Sequence, residues 1–150
     1  MVVFAAGNEG STVSFPANSG ENILAVGAST RNGQRCTYSN YGSSLDVVAP
    51  GDSIYTTTLN NSYDPYFSGT SAACPQVAAI AALILGVNPD LTNTEVYNII
   101  RSTSSKIGNY TYTNNPNKPQ GSWNDEMGYG LVNAQAAVQR TISNSIVLVP

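Results

Sequence analysis

Three short apolar runs stand in the first third of the chain, and each is followed by glycine or by a turn sequence. They cover residues 2–6, 23–28 and 45–49. Their apolar residues follow one another without polar alternation, which is typical of strands covered on both faces. The pattern therefore favours a sheet that is covered on both faces. Because the first run has no preceding turn or cap, we expect the chain to begin inside a domain.

Two helices are predicted in the middle of the chain. Residues 71–85 carry small and branched apolar side chains on all sides, as a helix buried all round does, and Pro75 is placed in its first turn. The start of the second helix is predicted from Thr92-Asn93-Thr94-Glu95, a capping-box sequence. Val96, Ile99 and Ile100 then form one apolar stripe. This helix is expected to be amphipathic and to lie on the surface.

The last third of the chain is more polar. Residues 102–128 are rich in Asn, Thr, Tyr and Pro, which predicts a long loop with one hairpin around Tyr110 to Tyr112. Asn133 is expected to cap a short last helix that runs through Val138. We therefore assign residues 1–139 to one domain or part of one, and residues 140–150 to a tail or the start of a following region.

Composition narrows the class of protein. The chain has 150 residues, of which 41% are hydrophobic and 10% charged, as in a folded globular domain. Its net charge of -3 comes without a basic cluster, so nucleic acid and membrane surfaces are not expected partners. The longest apolar run, residues 77–87, is too short to span a bilayer. Cys36 and Cys74 match no metal or redox spacing and are expected to be free thiols.

The sharpest chemical signal is Gly69-Thr70-Ser71-Ala72-Ala73 at the start of the predicted buried helix. A serine at a helix N-terminus lies where backbone N–H groups can stabilise an oxyanion, which is the geometry of a nucleophile. The alternative is that Ser71 is only an N-cap residue, the most ordinary role for serine there. An α/β-hydrolase esterase is disfavoured, because Ala73 stands where that class has its second glycine.

Five motifs stand in the order that subtilisin-like serine proteases have them. They are Ala5-Ala6-Gly7-Asn8-Glu9-Gly10, Ala25-Val26-Gly27-Ala28, Val48-Ala49-Pro50-Gly51, Gly69-Thr70-Ser71-Ala72-Ala73-Cys74-Pro75-Gln76-Val77-Ala78 and Gly128-Tyr129-Gly130-Leu131-Val132-Asn133-Ala134. The chain thus resembles the C-terminal half of a subtilase (peptidase family S8) catalytic domain. The resemblance implies a three-layer αβα fold with a mostly parallel sheet, represented here by its C-terminal half.

The resemblance also implies roles for two residues. Ser71 would be the nucleophile of a peptide-bond hydrolase that works through an acyl-enzyme, and Asn8 would donate to the oxyanion. On residue type alone Asn8 could equally be a turn residue after a strand. The family places its catalytic Asp and His before the serine, and this chain has no histidine. We therefore expect the chain alone to be inactive until the N-terminal half of the domain joins it, with polypeptide as the substrate.

Substrate binding is only partly indicated by the resemblance. Ala5, Ala6, Gly7 and Ser14 would form the remaining wall and floor of the primary pocket, and their small side chains suit an apolar substrate side chain. The Phe15–Pro16 bond matches a position at which the family has a cis peptide. Gln76 stands where the family usually has a histidine that is not part of the catalytic set.

The remaining expectations concern ions, location and partners. The chemistry requires no cofactor, while carbonyls near Ala17, Ser19 and Asn22 could hold a structural calcium or monovalent cation, or form an ordinary loop. The family implies export or attachment to the cell envelope.

Half of a sheet exposes an edge and apolar helix surface, so self-association of the chain is expected. The rival from another class is a non-catalytic binding or scaffold module that keeps this fold.

Overall fold

A parallel three-stranded sheet forms the centre of the fold. In the computed structural model, which describes residues 1–20 and 22–146, the strands are β1 (Val2–Ala5), β2 (Ile23–Ser29) and β3 (Val47–Pro50). They are hydrogen-bonded in the order β1-β2-β3, and both pairings are parallel. The apolar runs therefore predicted all three strands to within a few residues of their observed ends.

Both faces of the sheet are covered. Alternate β2 residues enter two different apolar clusters, with Leu24 and Val26 on one side and Ala25 on the other. The first cluster is completed by helical side chains, and the second by Leu45 and residues from the loops. This is the environment that an uninterrupted apolar strand requires, and it confirms the α/β fold with a parallel sheet.

An antiparallel hairpin follows the sheet and was not predicted from the sequence. It consists of β4 (Ile54–Thr58) and β5 (Ser62–Phe67), which pair with each other only. Its turn contains Asn60 and Asn61, both at positive φ (60° and 55°), a conformation that asparagine tolerates better than most residues. Most of its side chains are exposed, so the hairpin lacks the apolar alternation by which a half-buried strand is recognised.

The central helix α1 (Thr70–Val87) packs against all three strands of the sheet. The prediction that it is buried all round is wrong, because one side of it lies open and Leu83 is 54% exposed. The exposed small and apolar residues are Ala78, Ala79, Ala82, Leu83 and Gly86. The described elements cover only the other side of this helix. Pro75 lies inside α1 beyond its first turn, so the Ser71 carbonyl lacks the N–H donor four residues on that a helix normally supplies.

By length and apolar composition alone, α1 is the one helix in the described residues that could cross a membrane. The buried central helices of globular domains meet the same criterion, and α1 packs against the sheet.

The second helix, α2 (Asn93–Thr103), begins as its sequence predicts. Glu95 N–H donates to the Thr92 hydroxyl, and the Glu95 carboxylate accepts from Thr92 N–H and from the hydroxyl. Val96, Ile99 and Ile100 are buried in the core cluster, so the amphipathic surface helix is confirmed.

The last helix, α3 (Ala134–Ile146), is longer than predicted. Asn133 caps it as expected, because its Oδ1 accepts from Ala136 N–H at 2.9 Å. The predicted end at Val138 is wrong, and residues 140–146 of the expected tail belong to this helix. The hydroxyls of Thr141, Ser143 and Ser145 donate to carbonyls one turn back, so these polar side chains find partners within the helix. Residues 147–150 lie outside the described part of the chain.

The polar loop between α2 and α3 folds back on the sheet. Its antiparallel pairing joins Thr113 to Trp123, not the region of Tyr110 to Tyr112 as predicted. The segment after it runs beside β3, where Val48 N–H donates to Gly130 O and Val132 N–H to Val48 O. An added Cβ at Gly128 would lie 2.2 Å from Asp46 O, so only glycine permits this close approach.

Candidate active site

Ser71 lies exposed near the start of α1 and is not the N-cap of the helix. The cap position is Gly69, whose φ of 146° is reached easily only by glycine, and Thr70 is the first helical residue. The ordinary capping role considered for Ser71 is therefore wrong. Its hydroxyl stands instead at the N-terminal end of a long helix whose first turn carries no acidic residue. The positive end of the helix dipole favours negative charge at this place.

The turn before the helix is held by a contact with the end of the sheet. Gly69 N–H donates to Gly51 O at 2.9 Å. An added Cβ at Gly51 would lie 2.5 Å from Ala28 Cβ, so a larger residue would push the turn away from β2. The Pro-Gly sequence at the end of β3 thus contributes to placing Ser71, although Ser71 is distant from it in the chain.

Asn8 reaches the same helix terminus from the end of β1. Its Oδ1 accepts from the Thr70 backbone N–H at 2.8 Å and from the Thr70 hydroxyl at 3.0 Å. A backbone N–H can only donate, so the side-chain oxygen of Asn8 must face Thr70 and its Nδ2 must point elsewhere. The structure therefore brings Asn8 and Ser71 to one place with the Asn8 amide in a defined orientation.

Thr70 is the residue that fixes this orientation, and it was not singled out from the sequence. It is fully buried, and both its backbone and its hydroxyl contact Asn8. The only sequence signal was its place between Gly69 and Ser71 in the motif. Its role depends on a contact between residues that are far apart in the chain.

Asn40 is a second positioning residue that the sequence did not reveal. It is fully buried, and its Oδ1 accepts from the backbone N–H groups of Glu9 and Ser11 at 3.1 and 3.0 Å. Its Nδ2 donates to the Glu9 carboxylate, and its own N–H donates to Gly7 O. These hydrogen bonds fix the loop on both sides of Asn8.

The predicted pocket residues differ in exposure, and three of them directly precede Asn8 in the chain. Ala5 ends β1 and is half-buried, while Ala6 is 1% exposed and packs in the second core cluster. Gly7 adopts a φ of 105°, and its missing side chain leaves room for the Asn40 amide. Ser14 is exposed and precedes a cis Phe15–Pro16 peptide, which confirms the expected isomer.

No histidine stands beside Ser71, because the sequence contains none. Two lysines of the polar loop make contacts of their own: Lys106 Nζ donates to Ser122 O and Tyr129 O, and Lys118 Nζ lies 5.1 Å from the centre of the Trp123 ring. Gln76 uses its side-chain Nε2 to bind Pro50 O and Ala72 O at 2.7 and 2.8 Å. It therefore links α1 to the end of β3. Cys36 and Cys74 are free, as expected.

The loop with carbonyls near Ala17, Ser19 and Asn22 stays a predicted cation site or an ordinary loop. Ala17 and Asn22 line a pocket that also contains the positively charged Arg101 and Lys118. The Asn22 carbonyl accepts from the Tyr97 hydroxyl at 2.7 Å. Within the described residues no group of three acidic, cysteine or histidine side chains converges.

Comparison with known proteins agrees with this fold. The sequence profile of the subtilase family, peptidase family S8, matches residues 1–130. The chain belongs to the subtilase family.

Its relatives include well-known bacterial enzymes. It is 41% identical over 140 residues to alkaline elastase YaB of Bacillus sp. (strain YaB) and 43% identical over 144 residues to subtilisin NAT of Bacillus subtilis subsp. natto. Each match covers 93% of this chain, but only 33% and 34% of those relatives, so the chain spans about a third of their length. Among solved structures, a protease from Pseudoalteromonas arctica PAMC 21717 superposes with a TM-score of 0.78 at 33% identity, covering 94% of this chain and 42% of that one.

Proposed function

We propose that this chain is the nucleophile-bearing part of a serine endopeptidase. Ser71 attacks the scissile carbonyl and forms an acyl-enzyme that water then hydrolyses. The Asn8 Nδ2 group and the Ser71 backbone N–H donate to the oxyanion of the tetrahedral intermediate. The observation that carries the proposal is the pair of bonds from Thr70 to Asn8 Oδ1, which leaves the Nδ2 donor available beside Ser71.

The general base comes from outside this chain. A serine hydroxyl is a poor nucleophile at neutral pH without a base within hydrogen-bond reach, and this chain has no histidine to serve. The relatives are about three times as long, which leaves room for a segment that carries the Asp and His. The exposed apolar side of α1 is the surface that we assign to that segment. Alone, the chain is proposed to be inactive.

The proposed substrate is polypeptide, and the proposed side chain at the cleavage site is apolar. Ala5, Ala6, Gly7 and Ser14 remain the proposed wall and floor of that pocket, because the first three lead from β1 directly to Asn8 and Ser14 follows it by six residues. One relative is named an elastase, which agrees with small or apolar preferences. Export from the cell is proposed on family membership alone.

Active-site labelling tests this proposal. The full chain is treated with a serine-reactive fluorophosphonate, alone and within the full-length parent, and mass spectrometry locates the adduct. We expect rapid labelling at Ser71 in the parent and none in the chain alone, with Ser71→Ala as the control. If the folded parent is not labelled, the non-catalytic scaffold reading replaces this one. Rapid Ser71-dependent labelling of the chain alone would show that a base is present within it.

A further inference from the structure

Tyr38 connects the two parts of the candidate active site. Its backbone carbonyl accepts from Gly10 N–H at 2.7 Å, and Gly10 belongs to the loop that carries Asn8. Its side-chain hydroxyl donates to Gly51 O at 2.5 Å. Gly51 lies in the other part of the site, where it holds the turn before α1. One half-buried residue therefore has a hydrogen bond on each side of the site.

The Gly51 carbonyl is the point at which Tyr38 reaches the turn before the nucleophile. This oxygen also accepts from Gly69 N–H at 2.9 Å, and Gly69 stands two residues before Ser71. A carbonyl oxygen has two lone pairs, so it can accept both hydrogen bonds at once. Loss of the Tyr38 hydroxyl would leave the Gly69 bond in place and would loosen only the oxygen to which the turn is attached.

The segment that carries Tyr38 is itself held in place. Arg35 Nη1 donates to the carbonyls of Cys36, Thr37 and Ser39 at 3.2, 3.3 and 2.7 Å. The Tyr38 ring packs against the main apolar cluster of the core. A side chain can position another group only when its own conformation is fixed by its surroundings. Tyr38 meets this condition through the bonds of its segment and the packing of its ring.

The hydroxyl of Tyr38 remains a hydrogen-bond donor at neutral and moderately alkaline pH. Burial raises the pKa of the Tyr38 phenol above its ordinary value of about 10, and the hydrogen bond with Cys36 raises this pKa further. The phenol therefore stays protonated in this range, and its bond to Gly51 O persists.

We propose that Tyr38 is a positioning residue that sets the distance between the two oxyanion donors, Asn8 Nδ2 and the Ser71 backbone N–H. It acts through Gly10 on one side and through Gly51 on the other. Paired donors stabilise a transition state only when both lie at the right distance from the developing oxyanion. This role rests on the proposed function, and the activity of the unchanged parent distinguishes a failure of one from a failure of the other.

Tyr38→Phe removes the hydroxyl and keeps the ring, and its kinetics are measured in the full-length parent with a peptide substrate. We expect kcat to fall about 2–12-fold, the effect of one hydrogen bond, with KM nearly unchanged. An unchanged kcat would overturn the proposal. A raised KM at unchanged kcat would do so too, because that pattern indicates a contact with bound substrate. A parent without activity before substitution would contradict the proposed function, and the role of Tyr38 with it.

Tyr112→Phe is the matched control. The Tyr112 hydroxyl donates to Ile107 O at 3.2 Å within the polar loop, and this tyrosine is also half-buried. Because the same atom is removed away from the two donors, kcat should stay that of the unchanged parent. Thermal melting measures the loss of stability in each variant. An equal fall of kcat in both variants would show a general effect of stability and contradict the role of Tyr38.

A double-mutant cycle identifies the group through which Tyr38 acts. Tyr38→Phe is combined with Asn8→Ala, which removes one of the two donors. If Tyr38 sets their separation, its substitution should change kcat less than about twofold once Asn8 is alanine. The same 2–12-fold loss in the presence and absence of the Asn8 amide would show that Tyr38 acts elsewhere.

Discussion

At the scale of single residues, the candidate site depends on how one amide is oriented. Asn8 Oδ1 receives two hydrogen bonds from Thr70, so its Nδ2 is free to donate. Asn40 holds the loop on both sides of Asn8. The resemblance to a known family identified Asn8 and Ser71 as site residues from the sequence. The positioning roles of Thr70 and Asn40 can be recognised only in the folded structure. A side chain that acts by supporting another leaves no local pattern of its own.

Thr70→Val tests this orientation at the residue scale, measured in the full-length parent. Valine keeps the backbone N–H bond to Asn8 and removes only the hydroxyl bond, which is worth about 0.5–1.5 kcal/mol. We expect kcat to fall roughly 2–12-fold with KM nearly unchanged, because the orientation matters most in the transition state.

A double-mutant cycle with Asn8→Ala supplies the control. Removal of the corresponding donor in a subtilisin costs about 2.7–4 kcal/mol, a known value for that enzyme and not one obtained from this structure. If Thr70 acts through Asn8, Thr70→Val should have little effect once Asn8 is alanine. Additive losses would show that Thr70 has a separate role.

At the scale of elements, some features were predictable from local sequence signals, while others depend on contacts that form only in the folded chain. The capping box of α2 was predicted from Thr92 and Glu95, because the bonds that form it span only three residues. The extent of α3 was not predicted, since its Ser and Thr residues resemble a loop until their hydroxyls bond back to the helix. The exposed β4–β5 hairpin was missed because no apolar face marks it.

Thr92→Ala tests the capping box. Loss of the hydroxyl that accepts from Glu95 N–H should lower the free energy of unfolding by about 1 kcal/mol at neutral pH, as measured by urea denaturation. Thr92→Ser, which keeps the hydroxyl, should restore most of the loss. Unchanged stability of Thr92→Ala would contradict a contribution from the cap.

The same variant has an expected pH dependence. Hydrogen bonds from Thr92 lower the pKa of the exposed Glu95 carboxyl in the folded protein. Because the pKa of Glu95 is lower in the folded than in the unfolded protein, the ionised carboxylate stabilises the fold above its unfolded pKa of about 4.3. This stabilisation is lost as the pH falls through the folded pKa. The difference between Thr92→Ala and the unchanged chain should therefore shrink at acidic pH.

At the scale of the whole molecule, one large surface lacks a covering layer among the described elements. The side of α1 that carries Ala79 and Leu83 is exposed, although an apolar helix at the centre of an α/β fold normally has neighbours on both sides. The relatives extend well beyond the matched third of their length.

This exposed side predicts self-association of the chain. In sedimentation velocity, we expect the mean mass to rise with concentration, because pairing buries apolar surface. Leu83→Glu should reduce the association. Leu59→Glu is a matched control, since Leu59 is 83% exposed on the distant β4–β5 turn. A monomer at high concentration, or an equal effect of both variants, would contradict this use of the α1 surface.

The sequence by itself determined the parallel strands, the start of α2 and the order of motifs that assigns the chain to its family. These features follow from residues that are neighbours in the chain, where apolar runs and capping bonds act locally. Only the tertiary structure decided the rest. These features are the bonds from Thr70 to Asn8, the hydrogen bonds from the loop around Asn8 to Asn40, the open side of α1 and the ion pair of Asp46 with Arg101. Each of these joins or exposes residues far apart in sequence, and their energies depend on burial and distance, which exist only once the chain has folded.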